Sequence, residues 1–594
     1  MKEATTRSRS LEMANLPTPV FIARGSPGLY FAKGPKCQPF SGTPDENFSD
    51  VRGLEFSSDG SRIAWVTSQC VKVAETTNWE VIMEANIAKV GAVKFSPTGK
   101  YLGIWHPFFV SKENPQGGTN MYVYDVDKKE CIKSLIHKKY QSWEIQWSPD
   151  DAICGRSVSN EVHFFENGQL DSVVHKLRLE GLSEYSLAPS SRNPHVAAFI
   201  PSVGGRPAGA RMFKYPNFSE DAAVGRKSFF NANSVEMKWN SRGNTCLLLT
   251  STDVDKTGQS YYGETSIYCL DTKGATAHLQ PGGKKGPVYA FEWSPLGTEF
   301  CLVYGFMPAK ATLYNMKADP VFEFEPAHRN AVFYNPQGNL LALAGFGNLR
   351  GKIEVWDMEA RKQVAAGDCP DTTELRWCPD GRHFTVATCA PRLRQGNGFR
   401  VWHYTLQMIY EKNMAEKHEL YETYWQPFPS GTFPKPVVGS EKVKGTKPSQ
   451  PPPAKTAYVP PNMRGLSKTG QPERKKVLPP GMSEPEPEKK TKSKNKKKGG
   501  GDGPAKPESA PAAEDEPFVP PSAAERTPAP APAQSGQAAA NVDRKKKREN
   551  LKKKLKDIAK LKSDQAAGKE MNQEQLDKIS READLTRELQ ELTV

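Results

Sequence analysis

Four segments of this chain carry more glycine, cation and aromatic side chain than a plain strand connection needs. They are STDVDKTGQSYYGE (251–264), YGFMPAKAT (304–312), AGFGNLRGK (344–352) and ATCAPRLRQGNGFR (387–400). Lys256, Lys310, Arg350, Arg392 and Arg394 can neutralise phosphates, while Tyr261, Tyr262, Phe306 and Phe346 can stack on bases. The plainer reading is a set of solvated loops whose aromatic rings pack underneath. A second cationic group lies near the C-terminus: Lys545, Lys546, Lys547, Arg548, Lys552, Lys553, Lys554 and Lys556. Residues 541–569 hold 12 basic and 4 acidic residues, a density that calls for a polyanion partner, of which RNA is the commonest.

Catalytic and cofactor patterns are missing. No G-x-x-x-x-G-K-[ST] occurs, and GFGNLRG (345–351) neither matches G-x-G-x-x-G nor opens a helix. H-E-x-x-H and G-x-S-x-G are absent. The ten histidines lack metal-ligand spacing, and the ten cysteines include no C-x-x-C, so neither a zinc ribbon nor a redox pair is supported. The expectation is a protein that is not an enzyme, takes no cofactor or metal, and keeps its thiols free as small core fillers. No apolar run approaches the ~20 residues of a membrane span, and the first residues lack the apolar stretch of a secretory signal. A cytoplasmic location is therefore expected.

The elements that must position the four segments show as a repeat. An aromatic or apolar residue, then Ser/Asn/Cys, often Pro, a polar turn and an apolar run recurs at Phe56, Phe95, Trp147, Leu187, Trp239, Trp293, Tyr334, Trp377 and, more weakly, Trp425. The mean step is about 46 residues, near the ~40–50-residue period of a four-stranded propeller blade. Pro presets φ and Gly supplies positive φ, so each turn joins two antiparallel strands. A third strand follows (MYVYD, VHFFEN, SIYCLD, IEVWD), then a fourth, as in CIKSLIH and VFEFEP. The fold class is all-β: a WD40-like β-propeller of nine blades over 17–436. Eight blades, two smaller rings, or a β-sandwich array are the alternatives.

An open edge would aggregate, so the ring must close. PVFIARG (19–25) and GLYFAKG (28–34) are expected to complete the ninth blade, with sequence for about two more strands after Trp425. The last three cationic segments each follow the second strand of a blade, so they should emerge on one rim.

Outside the disc, residues 1–16 read as a flexible extension, with Met13 an alternative start. Residues 437–540, rich in Pro, Lys and Ala, have too little apolar content to offset ordering entropy and read as disordered. Within them TAYVPPNMRG (456–465) is either a docking motif or plain linker. Residues 541–594 read as basic helices: Leu551, Leu555, Ile558 and Leu561 share one face, Gly568 ends that helix, and a second carries Leu576, Ile579 and Leu589. Such helices bury too little to stand alone and suit docking; a solvated hairpin is the alternative. Of the whole net charge of +14, residues 441–594 contribute 33 basic against 22 acidic residues, leaving the disc almost neutral.

The same cationic segments, with VYGFMPAKAT, LAGFGNLRGKIEVWD, ATCAPRLR, FRVWHY and EVHFFEN, resemble the eukaryotic translation initiation factor 2A family. The resemblance runs from residue 19 to 426, resumes at TAYVPPNMRG and returns in the C-terminal helices; nothing carries over to 466–540. It implies a nine-bladed WD-type propeller that binds the small (40S) ribosomal subunit. It also implies codon-dependent, GTP-independent delivery of methionyl initiator tRNA to that subunit, including initiation at non-AUG codons and under stress. A chain with no GTP-binding motif suits that role. Further partners implied are mRNA and other initiation factors, among them the subunit-joining GTPase through the C-terminal helices; no membrane is involved. The tail also resembles the ribosome-binding end of an exon-junction-complex disassembly factor, over 545–562. Two rival readings remain: a scaffold for protein–protein contacts that touches RNA little, and a nucleotide-independent enzyme in the propeller channel, against which the lack of converging carboxylates or histidines argues.

Overall fold

The computed structural model describes residues 16–446, except 41, 44–45, 111–114, 139–144, 230–231, 253–263, 280–285 and 440–442, together with Ile558, Glu582 and Thr586. Each anchor phrase ends one strand and starts the turn into the next. In the second blade, for example, Ala92–Phe95 leads through SPTG into Tyr101–Trp105, then Met121–Asp125 and Glu130–Leu135. Nine four-stranded antiparallel sheets result. In chain order, blades 1 to 8 span residues 53–85, 92–135, 145–178, 184–229, 234–279, 288–327, 331–368 and 374–413. First strands of neighbouring blades touch at several interfaces, Gly53–Phe56 against Ala92–Phe95 and Val288–Trp293 against Ala331–Tyr334 among them.

The ninth blade joins both ends of the propeller. Its innermost strand is Leu420–Trp425, and the outer three come from the N-terminal side: Val20–Gly25, Gly28–Lys33 and Gln38–Pro39. Phe21 lies opposite Trp425 and Ala23 opposite Thr423. The expected pair of strands beyond Trp425 is thus corrected to none through Gly439, with one more strand than expected from the N-terminal side. The anchor phrase marks the end of a first strand, so after Trp425 the second strand has to be Val20–Gly25.

The turn chemistry explains the phrase. The side chain just after the anchor accepts the backbone N–H five residues on: Ser96 from Tyr101 at 3.0 Å, Ser148 from Ile153 at 2.9 Å, Asn335 from Leu340 at 2.9 Å. At the closure Gln426 does the same across the two chain ends, its Oε1 accepting from Val20 N–H at 3.4 Å. Gly60 shows why small residues hold these turns. It has φ +71°, and a Cβ there would sit 1.9 Å from the Pro427 carbonyl oxygen.

Hydrophobic burial is organised between blades, one cluster for each of the nine interfaces. The closing ones are as built as the rest: Phe21, Phe399 and Trp425 pack blade 9 on blade 8, and Ile22, Ile63 and Trp65 pack it on blade 1. Anchor tryptophans add a polar staple. Trp293 donates its indole N–H to the Lys238 carbonyl at 2.9 Å, Trp377 to the Phe333 carbonyl at 3.2 Å, and Trp425 to Thr385 Oγ1 at 3.0 Å. All ten cysteines are free, nine of them buried, and burial pushes Cys37, Cys269, Cys369 and Cys389 up to about 12.

The chain stays on the disc past residue 436. Gly439 N–H donates to the Tyr404 hydroxyl, and Thr446 N–H to the Met408 carbonyl at 2.7 Å. Residues 1–15 of the expected 1–16 extension, most of the 437–540 linker, TAYVPPNMRG and the C-terminal basic cluster lie outside the described residues; Ile558, Glu582 and Thr586 are helical.

Candidate interaction rim

Strand direction decides which loops share a face. In every blade the connection from second to third strand emerges on the same side as the connection to the next blade. Loops 305–308, 345–351 and 389–397 are second-to-third connections of blades 6, 7 and 8, so they do share one rim, as their placement in the repeat implied.

Loop 345–351 is fixed from below. Asn330 Nδ2 donates to the Phe346 carbonyl and Asn330 Oδ1 accepts Phe346 N–H, both at 2.9 Å. Beneath it the buried Arg329 pairs with Glu354 at 3.2 Å, and Lys352 reaches the other Glu354 oxygen at 2.8 Å. Burial draws the Arg329 guanidinium below its usual range, and Glu354 opposes that pull. Loop 389–397 is held by Asn397, whose Nδ2 donates to the Leu393 carbonyl at 2.7 Å and whose Oδ1 accepts Leu420 N–H at 2.9 Å.

On this frame Lys310, Arg350, Arg392 and Arg394 are all exposed. Arg394 lies 3.5 Å from Glu419, and Arg392 crosses to blade 7. Its Nη2 sits 2.3 Å from the point where a Cβ on Gly347 (φ +76°) would stand. A side chain at Gly347 would push that guanidinium away. Phe306 stands out at 66% exposure on the 305–308 tip.

Phe346 does not join them. It is 7% exposed, in the core between blades 7 and 8 with its ring 6.1 Å from Phe333, and a buried ring offers no face to a base. The expectation that it stacks is corrected: its backbone shapes the rim while its side chain fills the core. Lys256, Tyr261 and Tyr262 of the first segment, and Lys545 to Lys556, lie outside the described residues.

Two features of this rim were missed. The second-to-third loop of blade 2 carries Phe109 (63% exposed) and Val110. Ile136 is exposed on the adjoining connection, with Lys89 5.9 Å from the Phe109 ring centre and Lys138 5.4 Å from that of Phe108. HPFFV directly after a strand was the available signal. With Val203, Phe306 and Leu393 in the matching loops of blades 4, 6 and 8, exposed apolar tips recur around this rim. The other feature is a cleft of about 410 Å³ between the Gly25–Gly28 hairpin and residues 412–420. It is assembled from both ends of the propeller, so no local stretch announces it. Among the described residues no group of three His, Cys, Asp or Glu side chains could hold a metal.

The described residues thus form a nine-bladed propeller whose loops carry solvent-facing cations and apolar tips on one rim. Known proteins narrow this. The family model of eukaryotic translation initiation factor eIF2A matches residues 227–423. Eukaryotic translation initiation factor 2A of Drosophila melanogaster is 37% identical over 634 aligned positions, taking in 98% of this chain and 99% of the relative. The factor of the same name from Caenorhabditis elegans is 32% identical over 586 positions, 97% of this chain and 99% of the relative. The crystal structure of a eukaryotic initiation factor superposes with a TM-score of 0.63 at 30% identity, covering 70% of this chain and all of the other. The chain belongs to the eukaryotic translation initiation factor 2A family, and is a translation initiation factor.

Proposed function

We propose that this factor binds the small ribosomal subunit and directs methionyl initiator tRNA to it without GTP, using the rim of blades 6 to 8 for shaped RNA contact and the basic tail for long-range attraction. It works in the cytoplasm as a scaffold, with no catalytic residue of its own. The carrying observation is the convergence of Lys310, Arg350, Arg392 and Arg394 on one rim with an exposed aromatic ring, Phe306, among them. Cations fix phosphates, and aromatic faces accept unstacked bases. A second reading, a scaffold for other initiation factors, is favoured by Phe109, Val110, Ile136 and Val203, whose exposed apolar surface suits a protein partner.

The test is binding of initiator tRNA at ~150 mM salt, where non-specific phosphate attraction is already weakened. The double variant Arg392→Ala, Arg394→Ala is expected to bind about thirtyfold more weakly with an unchanged melting temperature, since each of the two lost phosphate contacts costs on the order of 1 kcal/mol. Equal affinity returns both arginines to solvent. A wild-type chain that does not shift the tRNA at all favours the protein scaffold.

A further inference from the structure

The cleft on this rim has two walls. One wall is the hairpin of blade 9, with Leu29 and Tyr30; the other is the end of blade 8, with Phe399, Lys412, Met414 and His418. The seam between the two ends of the propeller therefore opens into it. Its volume falls within the ~300–1,000 Å³ of small-ligand sites.

Charge and apolar surface are segregated there. Leu29, Met414 and the buried Phe399 give apolar surface, and no carboxylate lines the cleft. Lys412 Nζ stands 4.0 Å from the centre of the Tyr30 ring and has no carboxylate partner among the described residues. The Tyr30 hydroxyl lies 3.3 Å from that of Tyr410, which fixes the ring that supports the ammonium. The arginine loop is the neighbouring wall: the Asn397 carbonyl accepts Met414 N–H at 2.9 Å, and Arg394 reaches Glu419, next to His418.

An ammonium held over a ring, an imidazole at the mouth and a guanidinium on the adjoining loop, around an apolar interior, match one nucleotide of single-stranded RNA. We infer that this cleft takes an unstacked base against Leu29 and Met414, while Lys412 and Arg394 hold its phosphate. A duplex would not enter, because its bases are paired and stacked; a splayed-out nucleotide would. The inference rests on the RNA-binding reading above and gives it a specific pocket. Tyr30 is a positioning residue, acting through Lys412.

The test uses the full chain and two probes: a fluorescein-labelled single-stranded RNA hexamer and intact initiator tRNA. Lys412→Ala with His418→Ala is expected to weaken the hexamer about fivefold or more, on the scale of one lost base or phosphate contact. Lys317→Ala, exposed on the opposite rim, should leave it unchanged. Tyr30→Phe keeps the ring and should retain binding. A hexamer carrying 4-thiouridine should crosslink within residues 23–30 or 408–425. Hexamer binding indifferent to Lys412 and His418, or crosslinks confined elsewhere, overturns the cleft assignment even if tRNA still binds through Arg392 and Arg394. Hexamer binding lost in the cleft variant, with no tRNA binding by wild type, keeps the cleft and overturns the tRNA-delivery reading instead.

Discussion

At the scale of single residues, the turns show how one side chain does two jobs. Asp380 in CPDG accepts the backbone N–H groups of Arg382 at 2.9 Å and His383 at 3.1 Å, and its other oxygen meets His383 Nδ1 at 2.7 Å. Burial raises the pKa of this carboxyl, but the hydrogen bonds and charge of His383 outweigh it and hold the group below the usual carboxylate range. A folded pKa below the unfolded one, ~3.9, means stability that is fully present above ~4 and is lost as pH falls through the folded value. Asp380→Asn should therefore cost about 1.5–3 kcal/mol at pH 7, the range for hydrogen bonds to a charged group. The gap between wild type and variant should close as pH is lowered below ~4 in denaturant titrations. A gap that stays constant from pH 7 to pH 3 would mean that the ionised carboxylate contributes nothing there.

At the scale of elements, the closing blade is where the chain's covalent order and its spatial order part. Gln426 bridges that break: besides accepting from Val20, its Nε2 donates to the Gly60 carbonyl at 2.9 Å and to Thr76 Oγ1 at 3.1 Å, tying blade 9 to blade 1. Gln426→Ala leaves the buried Val20 N–H unpaired and is expected to cost about 1–3 kcal/mol. Hydrogen exchange should quicken in Val20–Gly25 and Leu420–Trp425 while blade 5 keeps its protection. Uniform exchange across all blades would deny the seam any local weakness. Eight anchor phrases were legible as full blades because each is a local signal, a turn of fixed chemistry between two apolar runs. The ninth was legible only in part, since its turn partner is 406 residues away in sequence. Phe346 was misread for a related reason. Its loop composition indicated the rim, but burial of its ring depends on blade 8 packing beside blade 7. The cleft needed the closed ring before Tyr30 and Lys412 could meet, and no spacing rule reaches that far.

At the scale of the whole molecule, charge is divided unevenly along the chain. Residues 1–440 carry 48 basic and 45 acidic residues, so the disc has little net attraction for a polyanion, and residues 441–594 supply most of the surplus. Steering by net charge is long-ranged and screened by salt, whereas rim contacts act only after encounter. The two contributions can be separated by slope and intercept. Neutralising Lys545, Lys546, Lys547, Arg548, Lys552, Lys553, Lys554 and Lys556 to Gln should weaken binding to small ribosomal subunits at low salt. It should also flatten the dependence of log K on log salt, by up to ~0.7–0.9 for each phosphate contact removed. The rim variant Arg392→Ala, Arg394→Ala removes at most two such contacts, so its curve should run lower with a slope closer to wild type. If the tail variant kept the wild-type slope, those eight cations would not be the ones that meet the phosphates, and the salt dependence would have to come from other cations of the chain.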